Sequence, residues 1–271
     1  MDKRPIGVFD SGLGGLTAVK RLMEVLPGED IIYFGDTGRV PYGGRSRETI
    51  IRYARQDIAF LRRSDIKAVM AACGTVSTNG LDEIAAKSDI PVFGVVESAA
   101  AAAVAATKNG RIGLIGTAAS VRSGAYDRKI KELRPNVEIL KTACPLFVPL
   151  VENGKVSRDD KVLRLVAEEY LAPLREAGAD TLIMGCTHYP IIRDVIADVM
   201  GDSVALIDTA AETAVRIAGY LRDNGMLSGN ESGGKYKYFV SDSTEDFGRM
   251  AALFLNTDVR GSVEQISLED F

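Results

Sequence analysis

The sequence is poor in the residues that build metal sites and disulfide frameworks. It has a single histidine, no tryptophan and three cysteines, Cys73, Cys144 and Cys186, which form no C-x-x-C motif. An odd number of cysteines argues against a fold held together by disulfides. A zinc site would need more ligands than these residues offer at any recognisable spacing. We therefore expect no metal site.

Long apolar runs and a strong excess of charge are also missing. No stretch of about 18 apolar residues occurs, so we expect no membrane span. The net charge of −4 gives no reason to expect nucleic acid or an anionic membrane as a partner. The first residues lead directly into a predicted strand and leave no room for a signal peptide. The expected location is the cytoplasm.

Short apolar runs alternate with helical patterns along the chain. This alternation is typical of an α/β fold with mainly parallel sheets. The run at 236–240 alternates between apolar and polar residues, so it is predicted as an edge strand. The predicted strands are 5–9, 31–35, 68–72, 92–95, 111–116, 181–184, 204–207 and 236–240. The predicted helices include 16–26, 97–107, 158–177, 209–223 and 244–255.

Two of the predicted strands are followed by a cysteine in a loop. Cys73 follows the strand at 68–72, and Cys186 follows the strand at 181–184. In open α/β sheets, loops at the carboxyl ends of strands hold ligands. The repetition indicates two similar α/β domains related by a pseudo-twofold axis, with the active site in the cleft between them.

We place the boundaries of these domains where the pattern restarts. The strand at 111–116 is followed by Thr117 much as the strand at 5–9 is followed by Asp10 and Ser11. The first domain is therefore predicted to comprise residues 1–97 and 208–271, and the second residues 98–207. With 271 residues, the chain is long enough for two ordinary domains.

Two glycine-rich loops follow the first two strands. The loop that begins at Asp10 lacks the G-x-G-x-x-G spacing, and its carboxylate would repel a pyrophosphate, so nucleotide binding is not favoured. The second loop contains Asp36, Tyr42 and Gly43 and forms either a plain surface loop or a wall over a site. Ser46 is predicted to cap the helix that follows it.

Cys73 and Cys186 together suggest a specific chemistry. To invert a carbon centre, one face must lose a proton while the opposite face gains one. A thiolate on one side and a thiol on the other can do this without a cofactor. Asp10 is a candidate partner for Cys73, and His188 is one for Cys186. The carbanion would need hydrogen-bond donors. Suitable hydroxyl residues are Ser11, Thr75, Thr117 and Thr187.

Plainer interpretations exist for some of these residues. Buried cysteine is usually a small core hydrophobe, and we assign Cys144 to that role. His188 could be structural, and Asp10 could be only a helix cap. Asp36 and Glu152 could be solvated acids in loops.

Several segments together resemble bacterial glutamate racemases, over essentially the whole chain. They are 7–15, 34–37, 41–43, 73–75, 147–152 and 185–190. The resemblance implies cofactor-independent interconversion of L- and D-glutamate, with D-glutamate supplied for peptidoglycan. It also implies a homodimer, because family members often dimerise.

Site residues can be carried over by position from this resemblance. Cys73 would handle the α-proton of D-glutamate with support from Asp10, and Cys186 that of L-glutamate with support from His188. Further acids near the cleft would be Asp36 and Glu152. With Thr117 added from the hydroxyl residues above, the predicted substrate-binding residues are Asp10, Ser11, Tyr42, Gly43, Gly74, Thr75, Thr117, Thr187 and His188.

One position departs from the family pattern. Glutamate racemases usually have asparagine after the first cysteine, and this chain has Gly74. The missing amide would have bonded the substrate, and one hydrogen bond to a charged group is worth roughly 1.5–3 kcal/mol. We expect altered substrate affinity before lost activity.

Three other functions remain open at this point. The chain could be an aspartate racemase or another amino-acid racemase of the same superfamily. It could be a two-lobed amino-acid-binding protein without catalysis, which would need the cleft but not both thiols. It could be a thiol redox protein, which predicts a disulfide between Cys73 and Cys186 on oxidation.

Overall fold

The computed structural model describes residues 1–255, 259 and 262–268. Within these ranges the strands are β1 Ile6–Asp10, β2 Ile31–Gly35, β3 Ala68–Ala71, β4 Val92–Gly94, β5 Arg111–Gly116, β6 Glu138–Ala143, β7 Thr181–Met184, β8 Ala205–Asp208, β9 Tyr236–Val240 and β10 Val263–Gln265.

Helices connect most of these strands, as expected when parallel strands follow one another. They are α1 Leu16–Val25, α2 Arg47–Arg62, α3 Gly74–Asn79, α4 Leu81–Ala85, α5 Val95–Ala106, α6 Ala118–Ser123, α7 Ala125–Leu133, α8 Phe147–Glu152, α9 Lys161–Glu176, α10 Arg193–Met200, α11 Thr209–Asp223 and α12 Thr244–Leu255. Short 3-10 helices cover Thr37–Arg39, Tyr42–Gly44 and Tyr189–Ile192.

The described strands form two sheets. One has the order β10-β9-β2-β1-β3-β4, and the other has the order β6-β5-β7-β8. All the recorded pairings are parallel. Parallel strands bring their carboxyl ends to one edge, so the residues after β1 and β3 lie together, as do those after β5 and β7. The α/β fold with two mainly parallel sheets is confirmed.

The sheets differ from the sequence prediction at their margins. β9 was predicted as an edge strand, which is wrong, because Tyr238 pairs with Val263 of β10 on one side and with Tyr33 of β2 on the other. β6 and β10 were not predicted at all. Strands β5 to β8 of the smaller sheet span 111–208. The division of the chain into two domains at 97/98 and 207/208 stays a prediction.

The helices pack through small or strongly amphipathic faces. Ser46 caps α2 by accepting a hydrogen bond from the N–H of Thr49 at 3.3 Å, as predicted. In the alanine-rich helix α5, Ala99, Ala100 and Ala103 are fully buried, which lets α7 and α11 approach closely. No helix in the described ranges is both long enough and apolar enough to span a bilayer.

A buried ion pair ties the N-terminal residues and a late loop to the larger sheet. Lys67 Nζ lies 2.5 Å from a carboxylate oxygen of Glu29, with both side chains buried. The same ammonium donates to the carbonyls of Asp2 and Met226, each at 2.8 Å. The other Glu29 oxygen accepts from the N–H of Ser228 at 2.8 Å. The two charges are therefore paired with each other away from water.

Removal of one partner of this ion pair should be strongly destabilising. Lys67→Met leaves the Glu29 carboxylate buried and unpaired, and such a change costs about 3–5 kcal/mol in the free energy of unfolding. The matched control is Lys87→Met. It removes an exposed pair with Glu83 at 3.8 Å and should change stability by less than about 1 kcal/mol. Chemical denaturation measures both, and equal effects would contradict the prediction.

Candidate functional site

Loops at the carboxyl edges of both sheets enclose one cavity of about 470 Å³. Its wall includes all but one of the residues singled out from the sequence. From the first sheet come Asp10, Ser11, Tyr42, Gly43, Cys73, Gly74 and Thr75, and from the second come Thr117, Glu152, Cys186, Thr187 and His188. The exception is Asp36. The two predicted catalytic thiols therefore face a single space from different sheets.

Cys73 lies at the first turn after β3, where it is the N-cap residue of α3. Its thiol donates a hydrogen bond to Ser11 Oγ at 3.4 Å. Burial is the main cause that raises the pKa of Cys73 to about 12, and the nearby charge of Asp10 adds to it. The N–H groups of Val76 and Ser11 oppose the rise only in part. Cys73 therefore carries its proton near neutral pH.

Asp10 ends β1 with its carboxylate buried beside Cys73. One oxygen accepts from the N–H of Gly12 at 3.2 Å. The other is buried and has no hydrogen-bond partner among the described residues. Burial raises the pKa of Asp10, and the charge of His188 opposes that rise. A buried acceptor without a partner, in a cavity wall, is suited to bind a donor from a ligand.

Cys186 has an imidazole as its neighbour. Its Sγ lies 3.9 Å from His188 Nδ1, and His188 Nε2 lies 2.9 Å from a carboxylate oxygen of Glu152. Burial lowers the pKa of His188, but the hydrogen bonds and charges of Cys186 and Glu152 outweigh it and raise that pKa to about 10. His188 is therefore an imidazolium at neutral pH and places a positive charge beside the Cys186 sulfur.

Hydroxyl groups connect the two sheets across the cavity. Thr75 Oγ1 and Thr117 Oγ1 are 3.1 Å apart, and Thr117 Oγ1 donates to Ser120 Oγ at 3.0 Å. Thr117 also caps α6 by accepting from the N–H of Ser120. These hydroxyls supply donors and acceptors in the wall, and they hold the loop after Cys73 against the loop after β5.

Gly74 lies against the backbone of the other cysteine loop. A Cβ added to Gly74 would be 2.5 Å from the carbonyl oxygen of Gly185, which no real contact of that kind permits. The backbone observed here therefore admits no side chain at this position. The departure from the family's asparagine accompanies a direct approach of the two loops, rather than a gap left by a missing amide.

Asp36, predicted as a further acid near the cleft, lies next to the cavity but does not line it, and a catalytic role for it stays a prediction. Its carboxylate accepts a hydrogen bond from the Tyr42 hydroxyl, accepts another from Ser241 Oγ at 2.8 Å, and pairs with Arg39 at 2.6 Å. Asp57 is buried beside it and pairs with Arg39 at 3.0 Å. Burial and the charge of Asp36 raise the pKa of Asp57. Asp36 thus supports Tyr42 from behind the cavity wall.

Apolar residues complete the wall, and none of them was predicted from the sequence as a site residue. They are Val40, Pro41, Pro145, Val148 and Pro149, together with the buried Cys144. Cys144 is part of the core, as expected, and it also lines the cavity. Single apolar residues carry no signal that separates a cavity wall from a core. The segment from Phe147 to Glu152 is a helix, so Glu152 is not a loop acid.

The charged groups in the cavity wall limit how an anionic ligand can be bound. The described lining contains two carboxylates and one imidazole but no lysine or arginine. An anionic ligand must therefore be bound by N–H groups, hydroxyls and the His188 imidazolium. In the described part of the chain, no group of three or more His, Cys, Asp or Glu residues is arranged to hold a metal ion.

Comparisons with known proteins agree with this geometry. The family model for Asp/Glu/Hydantoin racemase matches residues 16–217. A glutamate racemase of Geobacter metallireducens is 47% identical over 269 residues, covering 99% of this chain and 98% of that protein.

Solved structures give the same result. The crystal structure of a glutamate racemase of Bacillus anthracis has a TM-score of 0.94 at 35% identity and covers 99% of both chains. That of Francisella tularensis glutamate racemase in complex with D-glutamate has a TM-score of 0.91 at 39% identity, with 100% of both chains covered. This chain belongs to the Asp/Glu/hydantoin racemase family and, within it, to the glutamate racemases.

Proposed function

We propose that the protein interconverts L- and D-glutamate by two-base racemisation without a cofactor. The observation that carries this proposal is that Cys73 and Cys186 line one cavity, each from its own sheet and each beside its own ionisable partner. The relatives that are glutamate racemases support glutamate as the substrate.

In the proposed reaction, the Cys186 thiolate removes the α-proton of L-glutamate and becomes a thiol. The electron pair stays on the α-carbon as a carbanion conjugated with the carboxylate. The Cys73 thiol then gives its proton to the opposite face, which forms D-glutamate and leaves Cys73 as the thiolate. The reverse reaction exchanges the two roles, so no oxidant, reductant or metal enters the balance.

The protonation of the free site supports this assignment. Burial and Asp10 keep the proton on Cys73, because its pKa is raised to about 12. On the other side, the positive charge of the His188 imidazolium lies beside Cys186 Sγ. The free site thus holds a proton on Cys73 that can be donated, as the L-to-D direction requires.

Substrate binding would use the polar wall. The unpartnered oxygen of Asp10 is a suitable acceptor for the substrate ammonium group. Hydroxyls of Ser11, Thr75, Thr117 and Thr187 can donate to carboxylate oxygens, and His188 adds a positive charge. Such donors also stabilise the charge that develops on the carboxylate as the α-proton leaves.

The proposed reaction also gives the protein a role in the cell. D-glutamate made here would serve peptidoglycan synthesis and so the building of the cell wall. The cytoplasmic location and the homodimer inferred from the sequence stay predictions. Aspartate racemisation, binding without catalysis and thiol redox chemistry are the outcomes that the first experiment below separates from the proposal.

Replacement of either cavity thiol should stop racemisation. Cys73→Ala and Cys186→Ala each remove an essential acid or base, so kcat should fall by roughly 10²–10⁴-fold or more. Chiral chromatography of L- and D-glutamate incubated with pure, chelator-treated protein measures this. Substrate binding, measured by calorimetry, should persist in both variants. Cys144→Ala is the control that keeps both thiols.

Three results would contradict the proposal. They are unchanged racemisation in both thiol variants, a faster reaction with aspartate than with glutamate, or a wild-type chain that binds glutamate without converting it. A disulfide between Cys73 and Cys186, found by mass spectrometry after mild oxidation, would favour the redox alternative.

The protonation of His188 can be measured directly, because it is the only histidine. NMR titration should show an imidazolium that persists through neutral pH and loses its proton near pH 10. Glu152→Gln removes one cause of the raised pKa and should lower the midpoint. Glu138→Gln removes an exposed carboxylate paired with Arg111 and should leave it unchanged. A wild-type midpoint near 6.5 would refute this assignment.

The same raised pKa has a consequence for stability. The folded-state pKa of about 10 lies above the ordinary value of 6.5. Protonation of His188 therefore favours the folded state. That contribution is complete below about pH 6.5 and is lost as the pH rises through about 10.

A side chain at position 74 should disturb the approach of the two cysteine loops. In Gly74→Ala and Gly74→Asn, the Cβ would collide with the Gly185 carbonyl, so one loop must move. Displacement of a catalytic group by about 1 Å can cost on the order of 10²-fold in rate. Steady-state kinetics should show a lower kcat for both variants. Gly219→Ala, where a Cβ meets nothing within 4 Å, is the control. A Gly74→Asn variant with tighter substrate binding and undiminished kcat would show that the loops tolerate the side chain.

A further inference from the structure

Thr17 lies outside the cavity but contacts the loop that carries His188. It is a buried residue in the first turn of α1, which belongs to the larger sheet's half of the molecule. Its Oγ1 lies 2.9 Å from the carbonyl oxygen of Thr187, which is 170 positions away in the chain. The same hydroxyl is 2.9 Å from the carbonyl oxygen of Gly14.

A hydroxyl has one proton, so it can donate to only one of these carbonyls at a time. Gly14 O already accepts the N–H of Thr17 at 3.0 Å. The bond to Thr187 O is the one that links two halves of the molecule. Removal of the hydroxyl would therefore free the Thr187 peptide, directly before His188, from its anchor on α1.

The start of α1 also contacts the imidazole itself. A Cβ added to Gly14 would lie 2.5 Å from His188 Nδ1 and 2.6 Å from Cε1, so the ring packs directly on the Gly14 backbone. On its other sides, the ring bonds Glu152 through Nε2 at 2.9 Å and meets the Phe254 ring edge-on at 5.6 Å between centroids. The Nδ1 edge, which faces Cys186 Sγ, is the edge that Gly14 contacts.

We propose that Thr17 is a positioning residue for the Cys186 half of the reaction, which makes this inference rest on the proposed racemisation. It holds the Thr187–His188 peptide from the opposite half, so that the imidazolium stays beside Cys186 Sγ. Cys73 has its partners, Asp10 and Ser11, within its own half and needs no such anchor. Loss of the Thr17 hydroxyl should therefore slow proton transfer at Cys186 more than at Cys73.

Isotope effects on kcat/KM can detect this asymmetry. When transfer at Cys186 is slower, removal of the α-proton from L-glutamate limits the rate, and the isotope effect with α-deuterated L-glutamate rises. With α-deuterated D-glutamate, proton removal by Cys73 becomes a reversible step before the slow one, and the kinetic isotope effect falls towards the smaller equilibrium isotope effect for transfer from carbon to sulfur. A general loss of folded protein lowers the rate but leaves both isotope effects as they are in the wild type.

The test compares Thr17→Val, Thr17→Ser and Thr213→Val with the wild-type protein. Thr17→Val should lower kcat/KM on the order of 10-fold and raise the ratio of the L to the D isotope effect. Thr17→Ser keeps a hydroxyl and should restore both values. Thr213 is a matched buried threonine in α11. Among the described residues, its Oγ1 bonds only within its own helix, donating to the carbonyl oxygen of Thr209 at 2.7 Å. Its valine variant should behave as wild type.

Each outcome decides the matter. An unchanged isotope ratio in Thr17→Val, or no restoration by Thr17→Ser, overturns the positioning role. If Thr17→Val does not fold, Thr17→Ala removes the same bond with less bulk and is measured in its place. A wild-type chain that does not racemise glutamate overturns the proposed function instead, and this is seen before any variant is made.

Discussion

The site depends on the direct contact between the carboxyl edges of two parallel sheets. Gly74 lies against the Gly185 carbonyl, and the hydroxyls of Thr75 and Thr117 bond across the same boundary. The loops at the carboxyl edge of one parallel sheet reach the cavity from the same side, so loops that face each other across the cavity come from different sheets. Two thiols that face each other are therefore supplied by two sheets. The shape of the cavity between the thiols depends on the contact between those sheets.

The three cysteines show that the neighbours of a side chain, and not its type, decide what it can do. Cys73 and Cys144 are buried, and burial raises the pKa of each thiol. Only Cys73 combines this with a buried carboxylate at the cavity wall. Cys186 lies beside the His188 imidazolium, whose pKa is raised by its contacts with Cys186 itself and with Glu152. The proposed difference between an acid, a base and a core residue thus comes from the groups within a few ångströms of each sulfur.

The sequence predicts best those features that are local in the chain. Continuous apolar runs such as β7 were located to the residue, and the pairing of Cys186 with His188 follows from a separation of two positions. β6 has a partly exposed pattern without a clear period, and β10 is three residues long, so neither was predicted. The contacts of His188 with Glu152 and of Thr17 with Thr187 join distant positions. The sequence also could not show that Asp36 supports the cavity wall rather than lining it, because a carboxylate that follows a strand has the same local pattern in both cases.

The two halves of the molecule have similar architecture, but their cysteines have different chemical neighbours. A racemase with such unlike halves must still obey the equilibrium between the two enantiomers. Enantiomers have equal free energies in solution, so the ratio of kcat/KM in the two directions must be unity whatever the site looks like. Yet the proposed bases have different partners, a buried carboxylate at Cys73 and an imidazolium at Cys186. The asymmetry must then appear in kcat and KM separately, in compensating amounts. A site built from two unlike halves can favour one bound enantiomer without favouring one product, and the unlike partners of Cys73 and Cys186 are the physical origin of that preference.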